Sequence, residues 1–269
     1  MHPRQALAIE AASAVAVRHG LRATSPRLLD DANNTIVHLA PLPLVAKVCS
    51  ATARPSGPAA LRLELDVASH LVRCGAPVVA PSDELPVTVH REGECALTWW
   101  RYQRHDPSAR VDAEVAARTL DEVHAALASY PGSVPSFLTR AVRRAGRLLG
   151  DPSALPALGA ADRERLAAEH RRVLTALAER NLRWRPLHGD PHRRNFLAGP
   201  GGVVMLDFES VCLGPREWDL SALPGGGWGS GGGAVDADLL ALLGRLRQVC
   251  VEVWCAQRPE RALEVAAAA

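Results

Sequence analysis

Three side chains that carry oxygen donors, Asp190, Asn195 and Asp207, restrict the fold of this chain more than any other feature. Asp190 and Asn195 are five residues apart in the segment 187–196, LHGDPHRRNF, and a tight irregular loop can close that distance. The turn residues 199–202 and the apolar residues 203–206 predict a short hairpin after Asn195. Such a hairpin would return the chain and bring Asp207 beside Asn195 in one cleft.

An acid, an amide and a second acid are the groups that phosphoryl transfer requires. The reaction needs a carboxylate that accepts the proton of the attacking hydroxyl, and oxygen ligands that hold Mg²⁺ against the phosphates. The catalytic loop of kinases has an Asp followed by four residues and an Asn, which is the spacing of Asp190 and Asn195. The segment therefore predicts a kinase that uses Mg²⁺ with ATP or GTP.

Lys47 is the one lysine of the chain, so 30 of the 31 Lys and Arg residues are Arg. It lies in the apolar, β-prone run 44–48, LVAKV, and kinases place a phosphate-binding lysine in such a strand. Lys offers a compact charge on a flexible stem, whereas Arg is a wide planar fork. A coding bias toward Arg that left one lysine by chance is the alternative.

Glu64 lies in a helix predicted over 59–73, whose apolar residues recur at the helical period. It falls on the flank of the inward face, between Leu71 and Ala68, where an unpaired carboxylate is costly. Kinases orient the phosphate-binding lysine with a Lys–Glu ion pair. We therefore predict a Lys47–Glu64 pair; a Glu64 that reaches the rim and pairs with an Arg is the alternative.

The segments 187–196 and 207–209, together with 214–220, GPREWDL, resemble the aminoglycoside phosphotransferase family. The resemblance extends from residue 25 to residue 255 and is strongest at His-Gly-Asp 188–190 and Asp-Phe-Glu 207–209. It implies an α+β, protein-kinase-like two-lobe fold, with a small antiparallel sheet in the N-terminal lobe and a mainly helical C-terminal lobe. The family includes antibiotic kinases and metabolic kinases that act on choline or homoserine.

The resemblance implies the roles of the central residues. Asp190 would be the catalytic base, and Asn195 and Asp207 the Mg²⁺ ligands. Lys47 would bind the α- and β-phosphates, with Glu64 as its tether.

Four further residues would support this centre. His188 would hydrogen-bond the backbone near the metal-binding acid, and His192 would brace the loop. Asp219 would cap a helix or hold the catalytic loop from below. Glu209 has two open roles, because it could approach a second metal or face the substrate.

The residues that would cover the nucleotide phosphates are less defined, because the N-terminal part has no G-x-G-x-x-G motif. Residues 30–37 read DDANNTIV, and Asn tolerates left-handed turns, so Asn34 is a candidate phosphate-covering residue. Trp100 and Tyr102 lie in a predicted hinge that would hold adenine, unless they pack between the lobes. The Gly-rich run 225–233 lacks the features of a phosphate loop and predicts a flexible loop near the acceptor cleft.

The predicted organisation has a nucleotide-binding lobe at 1–99, a hinge at 100–103 and a catalytic, substrate-binding lobe at 104–269. Residues 51–58, ATARPSGP, predict a flexible connection. Strands are predicted near 27–29, 35–39, 44–48, 78–79, 87–90 and 95–99. The other helices are predicted at 4–19, 111–128, 137–149, 162–180 and 236–256.

Several classes of protein are disfavoured. The sequence has no apolar run of membrane-spanning length and no signal-peptide pattern, so a cytoplasmic location is expected. Its six cysteines form no C-x-x-C pair, which indicates neither a zinc site nor a disulfide frame. Neither nucleic acid, nor a membrane, nor an obligate protein partner is expected.

The expected partner is a small molecule with an acceptor hydroxyl. Residues 196–269 carry 5 basic and 9 acidic residues, and this net charge of −4 suits a cationic acceptor such as an aminoglycoside or another amine-bearing alcohol. A metabolic kinase of the choline or homoserine type and a non-catalytic nucleotide-binding pseudokinase are alternatives. A zinc hydrolase that uses His188, Asp190 and His192 is a further one, but it leaves Lys47 and Glu64 without a role.

Overall fold

The computed structural model describes residues 2–50, 57–106, 108–223 and 234–257. Two compact units make up the chain: Met1–Ala109 with Leu197–Glu209, and Arg110–Phe196 with Ser210–Ala269. Most of the predicted connection at 51–58, and the whole predicted loop at 225–233, lie outside the described residues.

The described residues form seven α-helices and nine strands. The helices are α1 Pro3–Arg18, α2 Gly57–Arg73, α3 Ala113–Leu127, α4 Arg143–Gly150, α5 Ala160–Ala178, α6 Arg216–Leu220 and α7 Ala237–Gln257. The strands are β1 Ser25–Asp31, β2 Thr35–Ala40, β3 Leu44–Ser50, β4 His90–Glu92, β5 Cys95–Arg101, β6 Arg185–Leu187, β7 Phe196–Gly199, β8 Gly202–Met205 and β9 Cys212–Gly214. Strands β7 and β8 pair, which confirms the hairpin predicted after Asn195.

The first unit is built on an antiparallel sheet with the strand order β1-β2-β3-β5-β4. Side chains alternate between its two faces. Ala46 and Trp99 lie on one face, in a core shared with the buried alanines of α1. Cys49 lies on the other face, where it packs against Leu61 of α2. Lys47, which is opposite Thr98 in the register, shares the face of Cys49, so the lysine and α2 lie on the same side of the sheet.

The second unit has an apolar core of helices. Its two clusters include Val173, Leu243 and Leu246 in one, and Leu166 and Val249 in the other. A short pair of strands, β6 and β9, lies at the edge of the first cluster, with Leu187 opposite Cys212. Because β6 ends at Leu187, this pair fixes the point at which the loop 188–195 begins.

Several predicted elements differ from the structure. Val78 makes a single bridge to Met205 in place of the predicted strand, since Pro77 and Pro81 on either side lack the N–H groups that a longer ladder requires. Residues 87–89 lie outside β4, which begins at His90. The helix predicted from residue 137 begins with a π-helical turn, Leu138–Val142, before α4. Trp100, placed in the predicted hinge, belongs to β5.

None of the helices in the described part of the chain is both long enough and apolar enough to cross a membrane.

Candidate active site

Lys47 lies at the centre of a group of acids in the first unit. Its Nζ is 2.8 Å from each carboxylate oxygen of Glu64, which confirms the predicted ion pair. It also lies 2.8 Å from Oδ1 of Asp207 and 2.9 Å from Oε1 of Glu209. We call these four residues, with Asn34, the lysine cluster.

Glu209 and Asn34 join the lysine cluster from distant parts of the sequence. Asn34 is buried at the end of the turn that leads into β2, and its Nδ2 donates a hydrogen bond to Glu209. Glu209 is itself 8% exposed. Its carboxylate is thus held by the lysine and by the hairpin residue that we predicted to cover the phosphates.

The electrostatics of the cluster follow from three carboxylates around one ammonium. Burial alone would lower the pKa of Lys47, but Asp207, Glu64 and Glu209 raise it well above its usual value. Burial, reinforced by Asp207 and Glu209 and opposed by Lys47, raises the pKa of Glu64 to about 8. A further cation beside these acids would relieve the excess of negative charge.

One carboxylate oxygen from each of Glu64, Asp207 and Glu209 lies within 4.8 Å of the other two. Among the described residues, this is the one group of three or more acid, His or Cys side chains close enough to share a metal ion. Oxygen donors of this kind suit a hard cation such as Mg²⁺. The side chain of Asp207 is 40% exposed, so solvent reaches the acid that the sequence assigns to the metal.

Asp207 has an unusual backbone, with φ of +67°. It is the one non-glycine residue with positive φ among those described, and such residues concentrate at functional sites. The next residue is fixed as well, because Phe208 N donates to Oε1 of Glu64 over 3.1 Å. Glu64 therefore positions both Lys47 and the segment that carries Asp207.

In the second unit, Asp219 holds the loop 188–195. Its buried carboxylate accepts hydrogen bonds of 2.8 Å from His188 N and from Gly189 N. His124 Nε2 lies 2.7 Å from the same carboxylate. Of the two roles expected for Asp219, the hydrogen bonds match the one that holds the loop.

Asp190 is presented by a closely bonded turn. His192 N donates to the Asp190 carbonyl over 2.9 Å, and Asn195 Nδ2 donates to the same oxygen over 2.9 Å. This leaves the amide oxygen of Asn195 as its acceptor atom. The carboxylate of Asp190 is 44% exposed and lies 3.9 Å from His192 Nε2.

His188 and His192 differ in their surroundings. His188 is completely buried, and its Nδ1 lies 3.3 Å from Asp190 N. His192 is 37% exposed, and its carbonyl accepts a 2.8 Å bond from Asn195 N. Both histidines support the turn that carries Asp190, His188 by its side chain and His192 by its backbone.

Gly189 cannot be replaced without moving its neighbours. Its φ is +90°, and an added Cβ would lie 1.9 Å from the carbonyl oxygen of Ser210. We expect Gly189→Ala to lower the free energy of unfolding by more than the roughly 1–2 kcal/mol of left-handed strain alone. Gly202→Ala is the matched control, because Gly202 has φ of +102° and open space around it. Urea unfolding compares the two; equal losses would contradict the steric explanation.

The predicted adenine-binding aromatics lie in β5 and directly after it. Trp100 is buried in β5, where its Nε1 donates to Thr98 Oγ1 over 2.9 Å. Since Thr98 is opposite Lys47, Trp100 shares the sheet face of the lysine, two residues further along β5. Tyr102 stacks on His38, with ring centroids 3.9 Å apart.

Two charged or polar neighbours of the loop, His124 and Arg247, are not among the residues predicted from the sequence. Each lies among apolar residues at helical spacing: His124 falls between Leu120 and Leu127, and Arg247 follows Leu243 by one turn. The same signal, a polar residue on an inward helix face, revealed Glu64 and could have revealed both.

The sequence matches the profile of a known protein family. The sequence profile of the phosphotransferase enzyme family matches residues 13–252. The chain belongs to this family. No curated protein sequence matches it.

Solved phosphotransferase structures share the fold at low sequence identity. The choline kinase LicA from Streptococcus pneumoniae is 14% identical, with a TM-score of 0.67 over 93% of this chain and 91% of that one. An aminoglycoside-3'-phosphotransferase of type VIII is 20% identical, with a TM-score of 0.63 over 92% and 100% of the two chains. The aminoglycoside phosphotransferase APH(3'')-Id from Streptomyces rimosus, in complex with ADP and streptomycin, is 17% identical, with a TM-score of 0.62 over 90% and 99%.

The α+β, kinase-like fold predicted from the sequence is therefore confirmed, as is the resemblance to the phosphotransferase enzyme family.

Proposed function

We propose that this member of the phosphotransferase enzyme family transfers the γ-phosphate of ATP or GTP to a hydroxyl of a small molecule, with Mg²⁺ as cofactor. The lysine cluster is the observation that carries the proposal. A buried ammonium that is ion-paired to a helix glutamate is the arrangement with which kinases bind nucleotide phosphates. The acid of the Asp-Phe-Glu segment, 2.8 Å from the same ammonium, corresponds to the metal-binding acid of that pattern.

On this proposal, Lys47 binds the α- and β-phosphates and Glu64 fixes its ammonium. Asn34 reaches the same cluster through Glu209, which supports its role near the phosphates. Trp100 and Tyr102 are assigned to the adenine. Trp100 lies near the end of β5, and Tyr102 directly follows this strand.

Asp207 and Asn195 are the proposed ligands of Mg²⁺, and Glu209 is assigned to a metal rather than to the acceptor because it belongs to the lysine cluster. Bound Mg²⁺ would neutralise charge on the phosphate oxygens. Asp190, which is half-exposed on the turn described above, accepts the proton of the acceptor hydroxyl as general base.

The hydrolase alternative has less support. The three-residue group suited to a metal among the described residues contains neither His188 nor His192. His188 is completely buried, with its Nδ1 on a backbone N–H. A zinc hydrolase would also leave the ion pairs of Lys47 without a purpose.

The acceptor is best found by a screen. Purified protein with ATP·Mg²⁺ is offered aminoglycosides, other hydroxylated antibiotics, choline and homoserine, and each mixture is assayed for ADP release and for acceptors that gain one phosphate. The complex of the Streptomyces rimosus enzyme with streptomycin places aminoglycosides first in the order of testing. Tight binding of ATP·Mg²⁺ without ADP release in any mixture would favour the non-catalytic, pseudokinase alternative.

Lys47 gives the nucleotide site a specific chemical test. An ATP analogue that carries a reactive acyl phosphate is expected to modify this single lysine side chain, because no other lysine exists in the sequence. Excess ATP·Mg²⁺ should protect Lys47, as mass spectrometry of proteolytic fragments would show. The Lys47→Arg variant is the control and should show no labelled lysine peptide. Labelling that excess ATP·Mg²⁺ does not reduce would contradict the assignment.

A further inference from the structure

Arg247 of α7 contacts Asp190, the proposed base. Among the described residues of the second unit, no other basic side chain has a shorter contact to this carboxylate. Its Nη1 lies 3.2 Å from Oδ1 of Asp190. Although it is a charged residue, the side chain is only 14% exposed. Arg247 lies outside the segments 187–196, 207–209 and 214–220, which carry the resemblance to the family.

The guanidinium of Arg247 uses all of its nitrogens on the loop and on the segment around α6. Its Nη2 donates to the carbonyls of Gly189, over 3.2 Å, and Trp218, over 2.8 Å. Its Nε donates to Ser221 Oγ over 2.9 Å. The guanidinium carbon also lies 4.0 Å from the centroid of the Trp218 ring, which adds a cation–π contact.

Trp218 completes the arrangement, because its Nε1 donates to the Gly189 carbonyl over 3.0 Å. The carbonyl of the residue before Asp190 therefore accepts from both Trp218 and Arg247, while the Asp190 carboxylate meets the same guanidinium. A rigid planar donor that holds backbone and carboxylate at once restricts both the position and the rotation of the Asp190 side chain.

We propose that Arg247 is a positioning residue for Asp190, which it holds in the orientation that accepts the acceptor's proton. The inference rests on the proposed function, in which Asp190 is the base. A side chain that acts through orientation should affect turnover more than nucleotide binding, because small displacements of a reacting group have large effects on rate.

The kinetic test uses the acceptor found by the screen. Arg247→Ala is expected to lower kcat by about 10- to 100-fold, with the Kd of ATP·Mg²⁺ within twofold of the unmodified protein. Arg247→Lys should restore only part of kcat, because an ammonium cannot serve a carboxylate, a hydroxyl and two carbonyls together. Arg245→Ala is the matched control, since Arg245 lies on the same helix, is about half-exposed, and pairs with Glu169.

A double variant separates positioning from a general loss of structure. In the Asp190→Asn background, Arg247→Ala should lower kcat by less than twofold, because no base remains to be positioned. Losses that multiply in the double variant would overturn the proposal. So would a kcat of Arg247→Ala that stays within twofold of the unmodified protein.

Hydrogen–deuterium exchange tests the contact without turnover. The peptide that covers residues 187–196 should exchange faster in Arg247→Ala than in Arg245→Ala or the unmodified protein. If the unmodified protein phosphorylates no acceptor, the proposed function fails, while exchange still shows whether Arg247 holds the loop. Unchanged exchange in Arg247→Ala would show that it does not, and would overturn the proposal.

Discussion

Asp190→Asn is expected to reduce the kcat of phosphoryl transfer by about 10²-fold or more, because a positioned general base contributes about 10²- to 10⁴-fold to such a step. The amide keeps the shape of the side chain but cannot accept the proton of the acceptor hydroxyl. Nucleotide affinity should change little, since Asp190 is not among the residues assigned to the phosphates or the metal. The measurements are steady-state kinetics and the Kd of ATP·Mg²⁺.

Asp162→Asn is the control for this substitution. Asp162 is an exposed acid of α5 whose described partner is Arg165, 3.5 Å away on the same helix. It should leave kcat unchanged. If Asp190→Asn also leaves kcat unchanged, Asp190 is not the base, and the phosphotransferase must deprotonate its acceptor with another group.

Asp219→Ala is expected to cause a large loss of stability. The carboxylate is completely buried and serves three donors, His188 N, Gly189 N and His124 Nε2. Each buried donor left without a partner costs about 1–3 kcal/mol, so the free energy of unfolding should fall by about 3 kcal/mol or more. Turnover should fall as well, because the loop that carries Asp190 loses its support. Urea unfolding and kcat are the measurements.

The pH dependence of stability provides a second measurement on Asp219. Burial alone would raise its pKa, but the hydrogen bond and charge of His124, with His188 and Arg247, lower it below its usual value. A depressed pKa in the folded state means that the ionised acid stabilises the fold above the unfolded value of about 3.9, and that this contribution disappears as pH falls through the folded value. The stability difference between the unmodified protein and Asp219→Asn should therefore shrink below about pH 4. A difference that stays constant from pH 7 to pH 3 would contradict a pKa of Asp219 that is lowered in the folded state.

What could be predicted from the sequence depended on the range of the interaction. The Lys47–Glu64 pair was predictable because one residue lies on a recognisable strand and the other on the inward flank of the following helix. The hairpin after Asn195 was predictable because turn residues and an apolar run are local signals. The prediction of a strand at 78–79 was wrong. Short apolar stretches favour strand pairing, but Pro77 and Pro81 limit the hydrogen bonds here to an isolated bridge.

Contacts between distant segments could not be predicted in the same way. Asn34 and Glu209 are separated by 175 positions, and no periodicity links a turn residue to an acid that far along the chain. Arg247 is 57 positions from Asp190, and its approach depends on how α7 packs beside the loop and α6. Helix periodicity could identify Arg247 as inward-facing, but not the group that it would meet.

The left-handed backbone of Asp207 restricts which residues can replace it during evolution. Only glycine, asparagine and aspartate adopt that conformation readily, so most replacements at position 207 carry a conformational penalty in addition to the loss of a carboxylate. Descendants of this chain that abandon phosphoryl transfer are therefore expected to carry asparagine or glycine there, since these residues remove the charge and preserve the turn. Position 207 would then record the loss of activity in a form that sequence comparison can recognise.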